Sequence, residues 1–231
     1  MANIKARAGW VQVRIGGNSQ ESAELVSSLP NGTMLAKDMS NVFNPTDTPP
    51  LAYTPDLLVL MSNISALTST RWYLGEHRHL FPFLRSSTTM LGIPFFNSTP
   101  FNLAIVDYGL QILGDNLIGF QAGNEPDLYA HPPRTHRPLV SNRRGLSSQL
   151  SNGASQGYGP LNYMGDIGLL VNQVAVDPGI TRKNELFIIP SISATLWAPE
   201  DVWNTGIVST YTDSLYGLAV ERYVAVYLSP R

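Results

Sequence analysis

Cysteine is absent from all 231 residues, which removes disulfides, thiolate nucleophiles and cysteine-ligated metals from consideration. The fold must hold by packing. Charge is scarce as well: 14% of residues are Asp, Glu, Lys or Arg, and the formal net charge is −2. Without a basic excess there is no general attraction to nucleic acid or to an anionic membrane. No run approaches the roughly 20 apolar residues that a membrane span needs, and "MANIKARAGW" lacks the apolar core of a secretory leader. Neither G-x-G-x-x-G nor G-x-x-x-x-G-K occurs to suggest a nucleotide fold, and the Ser-rich stretches sit in loops, so a Ser-His-Asp hydrolase has no anchor.

What is present is apolar and periodic. With 43% hydrophobic residues, the chain can bury the core of one large domain or two small ones. "WVQVRIGG" reads as a strand with a Gly-Gly stop, and "SQESAELVSSL" as a short helix after it. "TPDLLVLMSNISAL" predicts a helix opened by Thr-Pro, and "TRWYLG" a strand. In "STPFNLAIVDYGLQILGDN" a helix is expected with Ser98 or Thr99 as cap and Pro100 in its first turn. Its shared face would carry Leu103, Val106, Leu110 and Leu113, and Gly114 would stop it. "NLIGFQAGNEP" is an apolar strand, "LNYMGDIGLLVNQVAVDPG" a helix ended by Asp-Pro-Gly, and "ELFIIPSI" another buried strand. Trp203, Ile207, Tyr211 and Leu215 then stand at helical spacing before the strand "YGLAVERYVAVYL". Five strands alternating with helices argue for an α/β fold with a parallel sheet, either a barrel or a doubly wound sheet.

Two stretches break the rhythm, 76–91 and 130–155, and all four histidines lie in them. His77-x-His79 has no third ligand at sensible spacing, so no metal site is assigned. Between Asp127 and Asp166 there is no acidic residue, while Arg134, Arg137, Arg143 and Arg144 cluster there. The basic loop 131–144 reads first as a solvated loop and, alternatively, as the contact surface of an interaction protein. A basic loop without interleaved aromatics is a weak nucleic-acid footprint, and neither a nucleic-acid nor a membrane partner is expected. Asn31-Gly-Thr33, Asn63-Ile-Ser65 and Asn97-Ser-Thr99 are glycosylation triplets, which matter only in a secreted protein.

The stretch with the most chemistry is "GFQAGNEPDLY", residues 119–129. Gly, Asn, Pro and Asp are ordinary turn residues, whereas a glutamate at the exit of a buried strand is not a turn former. Acid/base catalysis at the carboxyl end of a barrel strand is one reason for Glu125, and a strand-end turn residue is the other reading.

The segments "RIGGNSQES", "RWYLG" with "IPFFN", "TPFNLAIVDYGLQILGDNLIGFQAGNEPDLY" and "QGYGPLNYMGDIGLLVNQ" resemble family 79 of the glycoside hydrolases, the heparanase and β-glucuronidase family, in its fungal branch. The resemblance implies a (β/α)8 TIM-type barrel with an appended β-sandwich, retaining hydrolysis of β-glucuronide-type linkages in polysaccharide or proteoglycan glycans, no cofactor, and a secreted location. It would make Glu125 the general acid/base and Asn124 a sugar contact near the 2-hydroxyl. Asn18, Tyr223 and Glu221 would line the sugar subsite. Measured against the family, the chain is expected to be a partial barrel of about strands 2 to 6. The sandwich and the nucleophile's strand would be absent, so that it would not hydrolyse glycosides as written. A catalytically inactive carbohydrate-binding remnant is the alternative. Segments 76–91, 130–155 and the tail 224–231 depart from the family pattern, as unspliced intron or as inserted loops. Oligomeric state is left open.

Overall fold

The structure, a computed structural model, describes residues 2–39, 49–74, 92–95, 100–129 and 158–221. Segments 76–91, 130–155 and 224–231 lie outside the described residues, and with them Tyr223, the histidines and the four loop arginines. In chain order the elements are α1 (Ala2–Ala8), β1 (Val11–Ile15), β2 (Ala23–Leu25), β3 (Leu35–Lys37), β4 (Leu51–Tyr53), α2 (Pro55–Thr68) and β5 (Thr70–Leu74). They continue with α3 (Ala104–Leu113), β6 (Leu117–Gln121), α4 (Pro160–Val176), β7 (Phe187–Ile192), α5 (Pro199–Trp203), α6 (Ile207–Thr210) and β8 (Leu215–Val220).

The five strands expected from the sequence form one parallel sheet in the order β1-β5-β6-β7-β8, flanked by helices. Parallel strands covered on both faces must be apolar throughout, and β6 and β7 are buried along their whole length. Edge strand β8 instead alternates half-buried and exposed residues. The register between β7 and β8 shifts after Pro190, a residue with no N–H to give to a ladder.

The sheet is strongly curled. At about 4.8 Å per strand, a flat sheet would hold β1 and β8 about 19 Å apart. Yet Arg14 of β1 forms an ion pair with Glu221, which follows β8 directly. Arginine and glutamate side chains do not together reach across such a width, so the edges must bend toward one another. On the concave side Tyr73 of β5 lies under Arg14, whose guanidinium carbon is 5.6 Å from the ring centroid.

Three local readings are corrected. The segment after β1 is not a helix but a 3₁₀ turn, Asn18–Ser22, leading into β2. The Glu21 side chain turns inward to accept hydrogen bonds from two loops, and β2 pairs with β4. Strands β2, β4 and β3 make a second, three-stranded sheet that the sequence did not announce. Helix α3 begins at Ala104, later than the Ser98–Pro100 cap predicts. Phe101 is buried, and its N–H and C=O are both taken by the Gln173 side chain of α4, at 2.8 and 2.7 Å. Asn102 Oδ1 then accepts the Ala104 N–H at 3.1 Å. The expected face and stop do form: Val106 and Leu113 are buried, and Gly114 closes the helix at φ 51°. Finally, the helix drawn through Trp203 and Leu215 is split into α5 and α6 at Gly206, whose φ is 81°, and Leu215 opens β8.

Candidate active site

The exits of β1, β5, β6, β7 and β8 share one end of the sheet, since all five strands are parallel. At the exit of β6 the chain turns through Gly123 at φ 76°. A Cβ there would stand 2.8 Å from Tyr129 Oη and 3.1 Å from the Phe95 ring, so the turn needs glycine for space as well as for backbone angle. The next amide, of Asn124, points at two acceptors at once, Glu21 Oε1 at 2.8 Å and Tyr129 Oη at 2.9 Å.

Glu125 follows in the left-handed region, φ 43° and ψ 56°. For a residue with a Cβ this conformation persists only where the surroundings fix it. Its N–H donates to the Ser191 C=O of β7 at 3.1 Å, and its own C=O accepts from Leu128 at 2.9 Å. The glutamate is only 2% exposed. Ser191 and Ala194, at the exit of the neighbouring strand, also have positive φ, 49° and 55°. Strained non-glycine residues gathered at adjacent strand exits are a recurrent mark of functional sites.

Pro126 opens a 3₁₀ turn, and buried Asp127 ties that turn to the β7 exit. It accepts the Ser193 N–H at 2.9 Å, the Ser193 hydroxyl at 2.6 Å and the Thr195 N–H at 3.3 Å. Within Asn-Glu-Pro-Asp, Asp127 therefore holds the loop, while the Glu125 side chain does not cap the 3₁₀ turn that follows it.

Glu221 lies across β7 from Glu125. Its N–H donates to the Ile192 C=O at 2.9 Å, so the two glutamates dock on successive carbonyls of the same strand, from opposite flanks. The Glu221 carboxylate is buried in its pair with Arg14. Burial raises the pKa of the nearby Tyr73 phenol, with Arg14 opposing and Glu221 adding to the rise. The structure thus brings Asn124, Glu125 and Glu221 to one end of the sheet. Asn18 opens the 3₁₀ turn after β1, where only its backbone is described, and Tyr223 is outside the described residues.

Three participants were missed from the sequence. Glu21 lies in the stretch expected from the sequence to be a short helix, yet it is 6% exposed and accepts from Phe95 N–H at 2.6 Å and Tyr129 O–H at 2.6 Å. Tyr129 sits fully inside, and burial, followed by the Glu21 charge, lifts its pKa well above the ordinary phenol value. Arg14 had a visible signal: it alternates with Val13 and Ile15 in β1, a cation on the inner face of an apolar strand. Among the described residues, no group of three His, Cys, Asp or Glu is arranged to hold a metal ion. Compared with known proteins, the chain matches no family model and no curated protein.

Proposed function

We propose that the protein is a glycoside hydrolase acting with retention on β-glucuronide-type linkages, with Glu125 as its general acid/base. The observation that carries the reading is the buried Glu125 carboxyl, presented in a strained, pinned conformation at the carboxyl end of a central parallel strand. Active sites of (β/α)8 barrels sit at that end of the strands. Strand order supports taking the sheet as successive strands of such a barrel. In a doubly wound sheet the order reverses where winding changes direction, whereas here it follows the chain from β1 to β8 without reversal. The curl that joins Arg14 to Glu221 is the curvature that closure requires.

In this reading the Glu125 carboxyl gives its proton to the leaving oxygen as the bond from that oxygen to the anomeric carbon breaks. A second carboxylate attacks the anomeric carbon and holds the sugar as an ester. Glu125, now ionised, takes a proton from the water that displaces the ester. Asn124 and the Arg14-paired Glu221 contact the sugar.

The test compares the purified protein with its Glu125→Gln variant. Glu125→Gln is expected to lower turnover of glucuronides with poor leaving groups by about 10²- to 10⁴-fold, the range that proton transfer supplies. A dinitrophenyl glucuronide, which leaves without a proton, should be affected little in its cleavage step. Trapping with a 2-fluoro glucuronide followed by peptide mass analysis identifies the attacking carboxylate. Undiminished turnover of poor leaving groups by Glu125→Gln refutes the assignment; glucuronide binding without turnover in the unmutated protein makes it a binding module instead.

A further inference from the structure

A buried glutamate that ties its own loop to two others has no explanation in packing. Glu21 follows β1, Phe95 follows β5 in the stretch that bridges to β6, and Asn124 and Tyr129 bracket Glu125 on the loop after β6. The two oxygens of Glu21 divide these donors: Oε2 takes the Phe95 N–H, and Oε1 takes both the Asn124 N–H and the Tyr129 O–H. All are donors, so the site calls for a group that only accepts, which an ionised carboxylate is and an amide is not.

We propose that Glu21 is the positioning residue for Glu125, its carboxylate fixing the Asn124 amide and closing the loop onto itself through Tyr129. The need for it lies one residue earlier. Gly123 imposes no preference of its own for positive φ, because glycine visits either sign readily, so the backbone alone does not choose how the next peptide is oriented. Glu21 chooses it from beneath, and the Ser191 C=O chooses the following one from the side. With two successive amides held, the left-handed Glu125 has one direction in which to present its side chain. Misplacement of a reacting group by about 1 Å from a remote change is enough to cost on the order of 10²-fold in rate.

This inference rests on reading Glu125 as the acid, and the experiment separates the two. In the same protein, Glu21→Gln is expected to lower kcat on a poor leaving group by about 10- to 100-fold. KM should stay within about threefold, dinitrophenolate release in the first turnover of a dinitrophenyl glucuronide should be nearly unchanged, and Glu125→Gln should leave nothing further for Glu21→Gln to remove. Tyr129→Phe, which keeps the carboxylate and deletes one donor to it together with one acceptor of the Asn124 N–H, should move the same way by less. In the 231-residue chain, amide exchange at Asn124 and Glu125 should accelerate in Glu21→Gln while Ile188 and Ile189 of β7 stay protected. Equal losses in the cleavage step on good and poor leaving groups, or unchanged exchange at Asn124 and Glu125, overturn the positioning role. If Glu125→Gln itself retains poor-leaving-group turnover, the acid assignment falls alone, and exchange decides whether Glu21 holds the loop.

Discussion

Gly123 is the residue at which the least change should do the most damage. A methyl group there would meet Tyr129 Oη at 2.8 Å, with φ already at 76°. Gly123→Ala is expected to destabilise the protein by about 1–3 kcal/mol, the cost of holding a non-glycine residue in such a region, read as a lower midpoint in urea. A midpoint unchanged from the parent would mean that the loop moves aside freely. The neighbouring Glu125 stands out in the sequence as a candidate because it follows an apolar strand where turn chemistry has no use for a carboxylate, whereas Asn124 is an ordinary turn residue singled out only through the family resemblance. Glu21 does not stand out, since a glutamate among Ser, Gln and Asn looks like surface until loops distant in sequence close over it. Asp127 was half legible. It was quoted with the motif, but its task of anchoring Ser193 and Thr195 depends on a strand about sixty residues later, with separations of 66 and 68 residues.

Elements announced themselves where their own sequence decides them. Helices α2, α4 and α5 each begin with proline in the first turn, at Pro55, Pro160 and Pro199. A proline there loses no helical hydrogen bond and has its φ set in advance. The start of α3 and the three-residue strands β2, β3 and β4 are decided from outside, by Gln173 in one case and by strand pairing in the other. Three residues are too few to show a period. The Arg14–Glu221 pair joins the two edge strands, and its contribution is measurable at this scale. Arg14→Met takes the cation away from a buried carboxylate, and breaking a buried ion pair in this way usually costs about 3–5 kcal/mol. Arg14→Met combined with Glu221→Gln should recover much of that loss in a double-mutant cycle of urea midpoints. Strictly additive losses would show that the two side chains do not stabilise one another.

At the scale of the whole molecule, three phenols are sealed inside: Tyr53, Tyr129 and Tyr163 all have pKa values raised above the ordinary one, chiefly by burial. Each holds its proton more tightly folded than unfolded. Their contribution to stability is therefore complete below the unfolded phenol pKa of about 10 and is lost as pH rises beyond it. Alkaline titration should show the phenolate absorbance of these residues emerging together with the loss of far-ultraviolet circular dichroism. Ionisation of the three while the dichroism is intact would contradict the burial described above. The strand order has a consequence in time rather than in space. Because neighbours in the sheet follow one another along the chain, a ribosome delivers each strand to a partner already made. The bond that spans the sheet from Arg14 to Glu221 is different. Arg14 and Glu221 are separated by 207 residues, about 10–40 s of synthesis at about 5–20 residues per second. During that interval the guanidinium emerges first, meets the Tyr73 ring next, and receives its carboxylate last.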